Sequence, residues 1–193
     1  MPEYGRVEID QEKGFSFSCD LEAETIVYGL GEANRGINKR GYRYISNNTD
    51  IPHHHEDTYS LYAAHNFIIV AGEETFGLYI DYPSALTFDI GYTRSDRLHI
   101  FCERADLDLY VITGDTPYDI TKQFRKVIGR SYIAPKFAFG FGQSRWGYKT
   151  PEDFITVVKK YRENHIPIDT VYMDIDYMDN YLSLIHISEP TRL

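Results

Sequence analysis

A strand–helix–strand pattern between residues 137 and 176 restricts the fold more than any other feature of this sequence. Residues 137–142 predict a short apolar strand, and Thr150 is a suitable N-cap for the helix that follows. Residues 168–174 predict a second strand, which leads directly into Asp176. Strands joined by a helix in this way form a right-handed βαβ unit, the repeating element of an α/β barrel. The pattern therefore predicts the opening of a barrel, with carboxylates at the strand end where barrel enzymes place working residues.

The region before this pattern predicts a β-sandwich. Phe15, Phe17 and Cys19 alternate with serines, as expected for a strand with one buried face. Turn residues separate further apolar runs at intervals of about ten residues, and residues 72–74 indicate a hairpin turn. The other predicted strands are residues 26–30, 42–46, 67–71, 76–81, 86–90, 98–102 and 107–113.

A helix is predicted to close the sandwich. Thr116 and Pro117 form a typical helix start, and Gly129 a typical end. We expect one helical face to pack, because its apolar residues recur at helical spacing. These residues are Ile120, Phe124, Val127 and Ile128.

The chain is thus divided into three predicted parts. Residues 1–133 form the sandwich with its closing helix, and residues 134–181 begin the barrel, with Pro135 at the entry. Residues 182–193 resemble translated sequencing-adapter sequence and are predicted to be a non-native tail.

Composition excludes several functional classes. The net charge is −9 with no basic stripe, which argues against nucleic-acid binding. No run of about 18 apolar residues predicts a membrane span, and no signal-like segment opens the chain, so we expect a cytoplasmic protein. Cys19 and Cys102 are expected to be free, buried thiols. Oligomeric state is not predicted.

Several motifs resemble glycoside hydrolase family 31, the family of α-glucosidases and α-xylosidases. The barrel motifs are FGFGQSRWGY at residues 139–148, NHIPID at 164–169 and YMDIDYM at 172–178; VYGLGE at 27–32 and NF at 66–67 resemble the family's N-terminal domain. The resemblance implies a galactose-mutarotase-like β-sandwich followed by a (β/α)8 TIM barrel. This chain would hold the sandwich and only the first βαβ unit of a truncated barrel.

Four residues are candidates for substrate binding. Trp146 follows the first barrel strand, and its indole face suits the C–H face of a sugar, although a core or interface position is the alternative. Asp174 ends the second strand, where a carboxylate can accept two hydroxyl hydrogen bonds. The resemblance implies that Asp174 binds a glucose unit, that Ile175 lines its side and that Asp50 reaches the pocket from a sandwich loop. A solvated turn is the alternative for Asp50.

The resemblance implies retaining hydrolysis of α-linked glucose from oligosaccharides, with no cofactor or metal. Retention requires two carboxylates about 5–5.5 Å apart, and no position here matches either family motif, so we expect this chain alone to be inactive. We interpret His53, His54 and His55 as residues of a solvated loop rather than as metal ligands. The alternatives are an α-xylosidase, a non-catalytic carbohydrate-binding sandwich, and a nucleotide-sugar transferase that uses Asp174 and Asp176 to hold a metal.

Overall fold

The computed structural model describes residues 5–10 and 14–181. The chain divides between Arg130 and Ser131 into two compact units, which we call the sandwich unit and the barrel unit. The predicted tail, residues 182–193, lies outside the described residues. The predicted domain bounds at residues 133 and 181 therefore stay predictions.

Two antiparallel sheets form the sandwich unit, in the orders β1-β2-β8-β7-β4 and β3-β5-β6-β9. All the strands predicted for this region are present, and the turn at residues 72–74 joins β5 to β6. Strand β1 was not predicted; its five residues alternate polar and apolar, but all are exposed. The strands are β1 Arg6–Asp10, β2 Gly14–Asp20, β3 Ile26–Gly31, β4 Tyr42–Ser46, β5 Ala64–Ala71, β6 Thr75–Asp81, β7 Leu86–Ile90, β8 Arg97–Cys102 and β9 Asp108–Thr113.

The core contains the apolar residues that alternate along these strands. Phe15, Phe17 and Cys19 are buried, as the period-2 pattern predicted. Each fully buried aliphatic or aromatic side chain contributes about 1.5–3 kcal/mol to folding. The largest such side chains in this core are Phe88, Ile68, Leu78, Ile80, Leu86, Ile90, Leu98, Ile100 and Val27.

Helix α1, Pro117–Ile128, packs on the four-stranded sheet. Its Thr116 N-cap and Gly129 C-cap confirm the prediction. Ile120 is fully buried and Phe124 packs beside it, so the first two turns bury their apolar face. The prediction is wrong for Val127 and Ile128, which lie one turn further along the helix and are about half exposed.

The barrel unit contains two parallel strands joined by a helix, as predicted. They are β10 Gly142–Arg145, α2 Pro151–Glu163 and β11 Thr170–Met173. The first strand begins later than predicted, because Lys136–Phe139 form a 3-10 turn. In that turn the amides of Ala138 and Gly140 donate to carbonyls three residues earlier, so this backbone is satisfied locally and does not enter the sheet.

The two cysteines are free and buried, as predicted. Burial raises the pKa of the Cys19 thiol from its ordinary value of 9.0 to about 12. Between these pH values the folded chain keeps a proton that the unfolded chain releases, so stability falls as pH rises through this window.

We therefore expect Cys19 to reduce the free energy of unfolding by up to about 1.4 kcal/mol per pH unit above pH 9. Urea unfolding at pH 8 and pH 10 checks this, with Cys19→Ala as the control for other titrating groups. The same pH slope in the variant and the wild-type chain would contradict the prediction.

Candidate functional site

The C-terminal ends of β10 and β11 meet at one edge of the barrel unit. Arg145 lies opposite Met173 in the parallel register, and the next residues are Trp146 and Asp174. The Asp176 amide donates to the Trp146 carbonyl at 3.2 Å, which ties the two segments together just beyond the strands. The structure therefore places Trp146 and Asp174 at the edge that the sequence predicted for working residues.

A hydroxyl on the neighbouring strand orients the Asp174 carboxylate. The Ser144 Oγ donates to Asp174 Oδ2 at 3.2 Å. Asp174 is otherwise exposed, and a carboxylate has about four acceptor positions. It can therefore accept further hydrogen bonds from a ligand while Ser144 fixes its orientation. Sequence reasoning missed Ser144 because the first barrel strand was predicted to end at residue 142, whereas the observed β10 runs to Arg145 and carries Ser144 one position before its end.

The side chains beside Asp174 offer apolar surface to solvent. Trp146 is 63% exposed and Ile175 is 43% exposed. The barrel unit thus does not bury the indole as a core residue. An exposed indole and an aliphatic side chain flanking a carboxylate can contact both the C–H face and the hydroxyls of a sugar ring.

Buried polar contacts fix the strand that carries Ser144. Tyr161 of α2 donates its hydroxyl to Gln143 Oε1 at 2.6 Å, and Gln143 Nε2 donates to the Tyr148 hydroxyl at 3.3 Å. Tyr148 is buried and meets the Phe154 ring edge-on. These contacts lock β10 to α2, and sequence reasoning did not identify them.

A capping box fixes the loop after Trp146. Thr150 and Asp153 exchange side-chain and backbone hydrogen bonds at the start of α2, and Asp153 also accepts the Lys149 amide at 3.0 Å. Backbone hydrogen bonds from Thr150 and Lys149 lower the pKa of Asp153. The ionised carboxylate therefore holds the loop in place at neutral pH.

Asp50 lies in the loop between β4 and β5 of the sandwich unit, where it is exposed. The Thr49 amide donates to the Leu61 carbonyl at 2.8 Å, closing the base of the loop. Desolvation, together with the negative charge of the nearby Asp50, raises the pKa of the Tyr62 hydroxyl. Asp50 thus lies close enough to Tyr62 for the two side chains to interact within this loop.

The four candidates belong to different units. Asp50 is in the sandwich unit, and Trp146, Asp174 and Ile175 are in the barrel unit. The convergence of Asp50 with the other three residues stays a prediction.

An arginine that sequence reasoning missed organises the Asp50 loop. Arg35 is only 9% exposed and lies over the Tyr42 ring at 4.0 Å. Its guanidinium donates to the carbonyls of Glu56, Asp57 and Arg43 at 3.2–3.3 Å. One planar cation thus joins two loop carbonyls to strand β4.

We expect Arg35→Lys to loosen the loop of residues 47–63, because an ammonium cannot reproduce three donors in one plane. The expected cost is about 2–4 kcal/mol in the local opening free energy, seen as faster amide exchange at residues 55–58. Arg40→Lys is a matched control, since Arg40 donates to the carbonyls of Ala23, Thr25 and Ser95 instead. Equal acceleration of the loop in both variants would refute the assignment.

Other candidate sites gain no support. His53, His54 and His55 are exposed, and no group of three or more His, Cys, Asp or Glu residues in the described part of the chain could hold a metal ion. The transferase interpretation rests on two carboxylates, Asp174 and Asp176, and stays an untested alternative. None of the helices in those ranges is long and apolar enough to cross a membrane.

Two family models match the two units. The glycosyl hydrolase 31 N-terminal galactose mutarotase-like domain matches residues 4–89. The glycosyl hydrolases family 31 TIM-barrel domain matches residues 131–190. The second match extends into the segment that was predicted to be a non-native tail, and that prediction remains untested.

Curated relatives and solved structures agree with these matches. Alpha-glucosidase 2 of Bacillus thermoamyloliquefaciens is 35% identical over 156 residues, which span 80% of this chain and 20% of the relative. The alpha-xylosidase of Saccharolobus solfataricus is 37% identical over 89 residues, 46% of this chain and 12% of the relative. The Flavobacterium johnsoniae GH31 dextranase complexed with glucose has the same fold, with a TM-score of 0.77 and 24% identity over 89% of this chain and 21% of that one.

The chain therefore spans about a fifth of the length of Alpha-glucosidase 2. Its architecture is a galactose-mutarotase-like sandwich followed by the start of a TIM-barrel domain. The fold, the family models and the curated relatives lead to one conclusion: this chain belongs to glycoside hydrolase family 31.

Proposed function

We propose that this chain is part of a retaining α-glucosidase and helps to bind the terminal α-linked glucose of an oligosaccharide. The observation that carries the proposal is the edge of the barrel unit, where Ser144 orients the exposed carboxylate of Asp174 beside Trp146. The 35% identity to Alpha-glucosidase 2 supports the choice of glucose.

Each candidate residue has a distinct role in this proposal. Asp174 accepts hydrogen bonds from two adjacent hydroxyls, as a charged acceptor fixed by Ser144. Trp146 contacts the apolar face of the ring and Ile175 its side. Asp50 of the sandwich unit stays a predicted second acceptor for the sugar.

The nucleophile and the acid/base in this proposal lie outside the chain. Retention requires two carboxylates about 5–5.5 Å apart on either side of the scissile bond. Asp174 is held by Ser144, and the Asp176 carboxylate accepts the Tyr181 hydroxyl at 3.2 Å. We assign Asp174 to positioning and Asp176 to the structure of its loop, and we expect no hydrolysis by this chain alone.

A chimera tests the proposal directly. In it, this chain replaces the matched segment of Alpha-glucosidase 2, which supplies the rest of the barrel. We expect turnover of 4-nitrophenyl α-glucoside by the chimera and none by the isolated chain. Turnover by the isolated chain would refute the assignment of the catalytic pair. Saturable sugar binding by a folded chimera without turnover would favour a non-catalytic carbohydrate-binding role.

The second candidate function is an α-xylosidase, favoured by the 37% identity to the Saccharolobus solfataricus enzyme. Xylose lacks the hydroxymethyl group of glucose, so the two substrates differ in size next to the apolar side of the pocket. A higher kcat/KM of the chimera for 4-nitrophenyl α-xyloside than for the glucoside would establish this alternative.

A further inference from the structure

The outer face of the five-stranded sheet carries an ordered row of polar residues that the proposed function does not use. The register places Arg6 opposite Ser18, Ser18 opposite His99, His99 opposite Asp89, and Asp89 opposite Arg43. One polar residue from each of the five strands thus lies on a single line across the sheet.

This row forms part of a cleft of about 500 Å³ within the sandwich unit. Ser16 and Phe101 from the next row also line it. Its volume is in the range of small-molecule sites, which measure about 300–1,000 Å³. The cleft is therefore large enough for a ligand of one or a few sugar rings.

The charges of the cleft are neutralised in pairs. Each of the four arginines that line it has a carboxylate partner at 2.9–3.2 Å, so the surface is dense in donors and acceptors but locally neutral. A guanidinium has five donors, and these pairs use only some of them. An anion would compete with carboxylates already in place, whereas neutral hydroxyls would not. The pairs are Arg6–Glu8, Arg43–Asp89, Arg94–Asp96 and Arg97–Asp20.

Asp89 is one polar group of the cleft that several hydrogen bonds hold in place. It is only 4% exposed and accepts hydrogen bonds from the Arg43 side chain, the Thr93 hydroxyl and the amides of Tyr92 and Thr93. Arg43, which also donates to the Thr93 hydroxyl at 3.0 Å, is thereby fixed in position in the lining of the cleft. A preorganised polar surface loses little side-chain entropy when a ligand binds.

Two aromatic rings stack on each other beside these groups. The His99 and Phe101 rings have centroids 4.9 Å apart and planes 28° apart. A ring face that the stacking leaves free, flanked by polar side chains, matches the two kinds of surface on a pyranose, its C–H face and its hydroxyls.

We propose that this cleft binds a neutral α-glucan oligosaccharide, at a second sugar-binding surface in the sandwich unit. The choice of an α-glucan rests on the proposed function, whereas the site itself does not, because its residues are all in the sandwich unit and none is a candidate of the barrel unit.

The test titrates maltotriose and isomaltotriose into the full 193-residue chain and follows the backbone amides by NMR. We expect saturable shifts at residues 16–18, 89–93 and 97–101, with a dissociation constant on the order of 1 mM. His99→Ala and Phe101→Ala should each weaken this binding by about fivefold or more. Inorganic phosphate should not displace the sugar.

Two control variants separate this site from others. Tyr110→Ala removes a partly exposed aromatic ring from the other sheet, and Trp146→Ala removes the candidate sugar contact of the barrel unit. Both should leave the shifts in the cleft unchanged, whatever the outcome for the proposed function. The amide spectrum of each cleft variant shows whether it folds. If one does not, the residues whose amides shift in the wild-type chain still show whether the sugar binds in the cleft.

Three results would overturn the proposal. The first is no saturable shift in the cleft up to about 20 mM of either sugar, an affinity too weak for a site. The second is undiminished binding by a folded His99→Ala or Phe101→Ala chain. The third is displacement of the sugar by phosphate, which would identify an anion site instead.

Discussion

Ile120→Ala is expected to lower the free energy of unfolding of the sandwich unit by about 2–5 kcal/mol. Ile120 is fully buried between α1 and the four-stranded sheet, in a small cluster with Phe67, Ile69 and Ile112. It reaches the sheet above Gly77, where an added Cβ would lie 2.5 Å from Ile120 Cγ2. The close fit leaves the neighbours little room to collapse into the space vacated by the isoleucine.

Urea unfolding followed by far-UV circular dichroism measures this effect, since most of the regular structure is in the sandwich unit. Val127→Ala is the matched control on the same helix. Val127 is 47% exposed, so its loss should change stability by no more than about 0.5 kcal/mol. Similar losses in the two variants would mean that α1 is not held by Ile120.

Asp174→Ala is expected to lower kcat/KM of the chimera for 4-nitrophenyl α-glucoside by about 10²–10³-fold. The substitution removes the acceptor for two sugar hydroxyls and so loses the orientation of the reacting bond. Ser144→Ala should cost less, about tenfold, because the carboxylate remains but loses the hydrogen bond that orients it.

Asp176→Asn is the control for the Asp174 variant. Asp176 is two residues away and its carboxylate accepts the Tyr181 hydroxyl, so the change should reduce kcat/KM by less than about tenfold. A larger loss for Asp176→Asn than for Asp174→Ala would reverse the roles assigned to the two carboxylates. An unchanged far-UV circular dichroism spectrum and urea midpoint of each variant would show that the chimera is still folded.

The order of the elements could be predicted from local patterns. Alternation, turn residues and helix caps depend on neighbouring residues only, and they predicted strands β2–β9 and both helices. Strand β1 was missed because its exposed apolar residues give no core signal: Ile9 is 68% exposed. The sequence also could not predict how many turns of α1 pack on the sheet, because this depends on where the sheet lies beneath the helix.

The site was predictable only in part. Trp146 and Asp174 follow strands, and parallel strands of one sheet share an edge, so their neighbourhood follows from topology alone. The hydrogen bond from Ser144 depends on the pairing of β10 with β11, and the observed β10 begins at Gly142, where the predicted strand ended. Arg35 donates to carbonyls of a loop far away in sequence, where no local pattern applies.

The uneven distribution of buried side chains between the two units has a consequence for biosynthesis. In the described part of the barrel unit, only Tyr148 and Ile168 are buried hydrophobic residues, whereas the sandwich unit has a continuous two-layer core. During translation the sandwich can thus reach its native state as soon as it leaves the ribosome, because N-terminal domains fold first. The described part of the barrel unit buries few apolar side chains of its own and so gains little from folding alone, and we expect it to reach its native state after the sandwich.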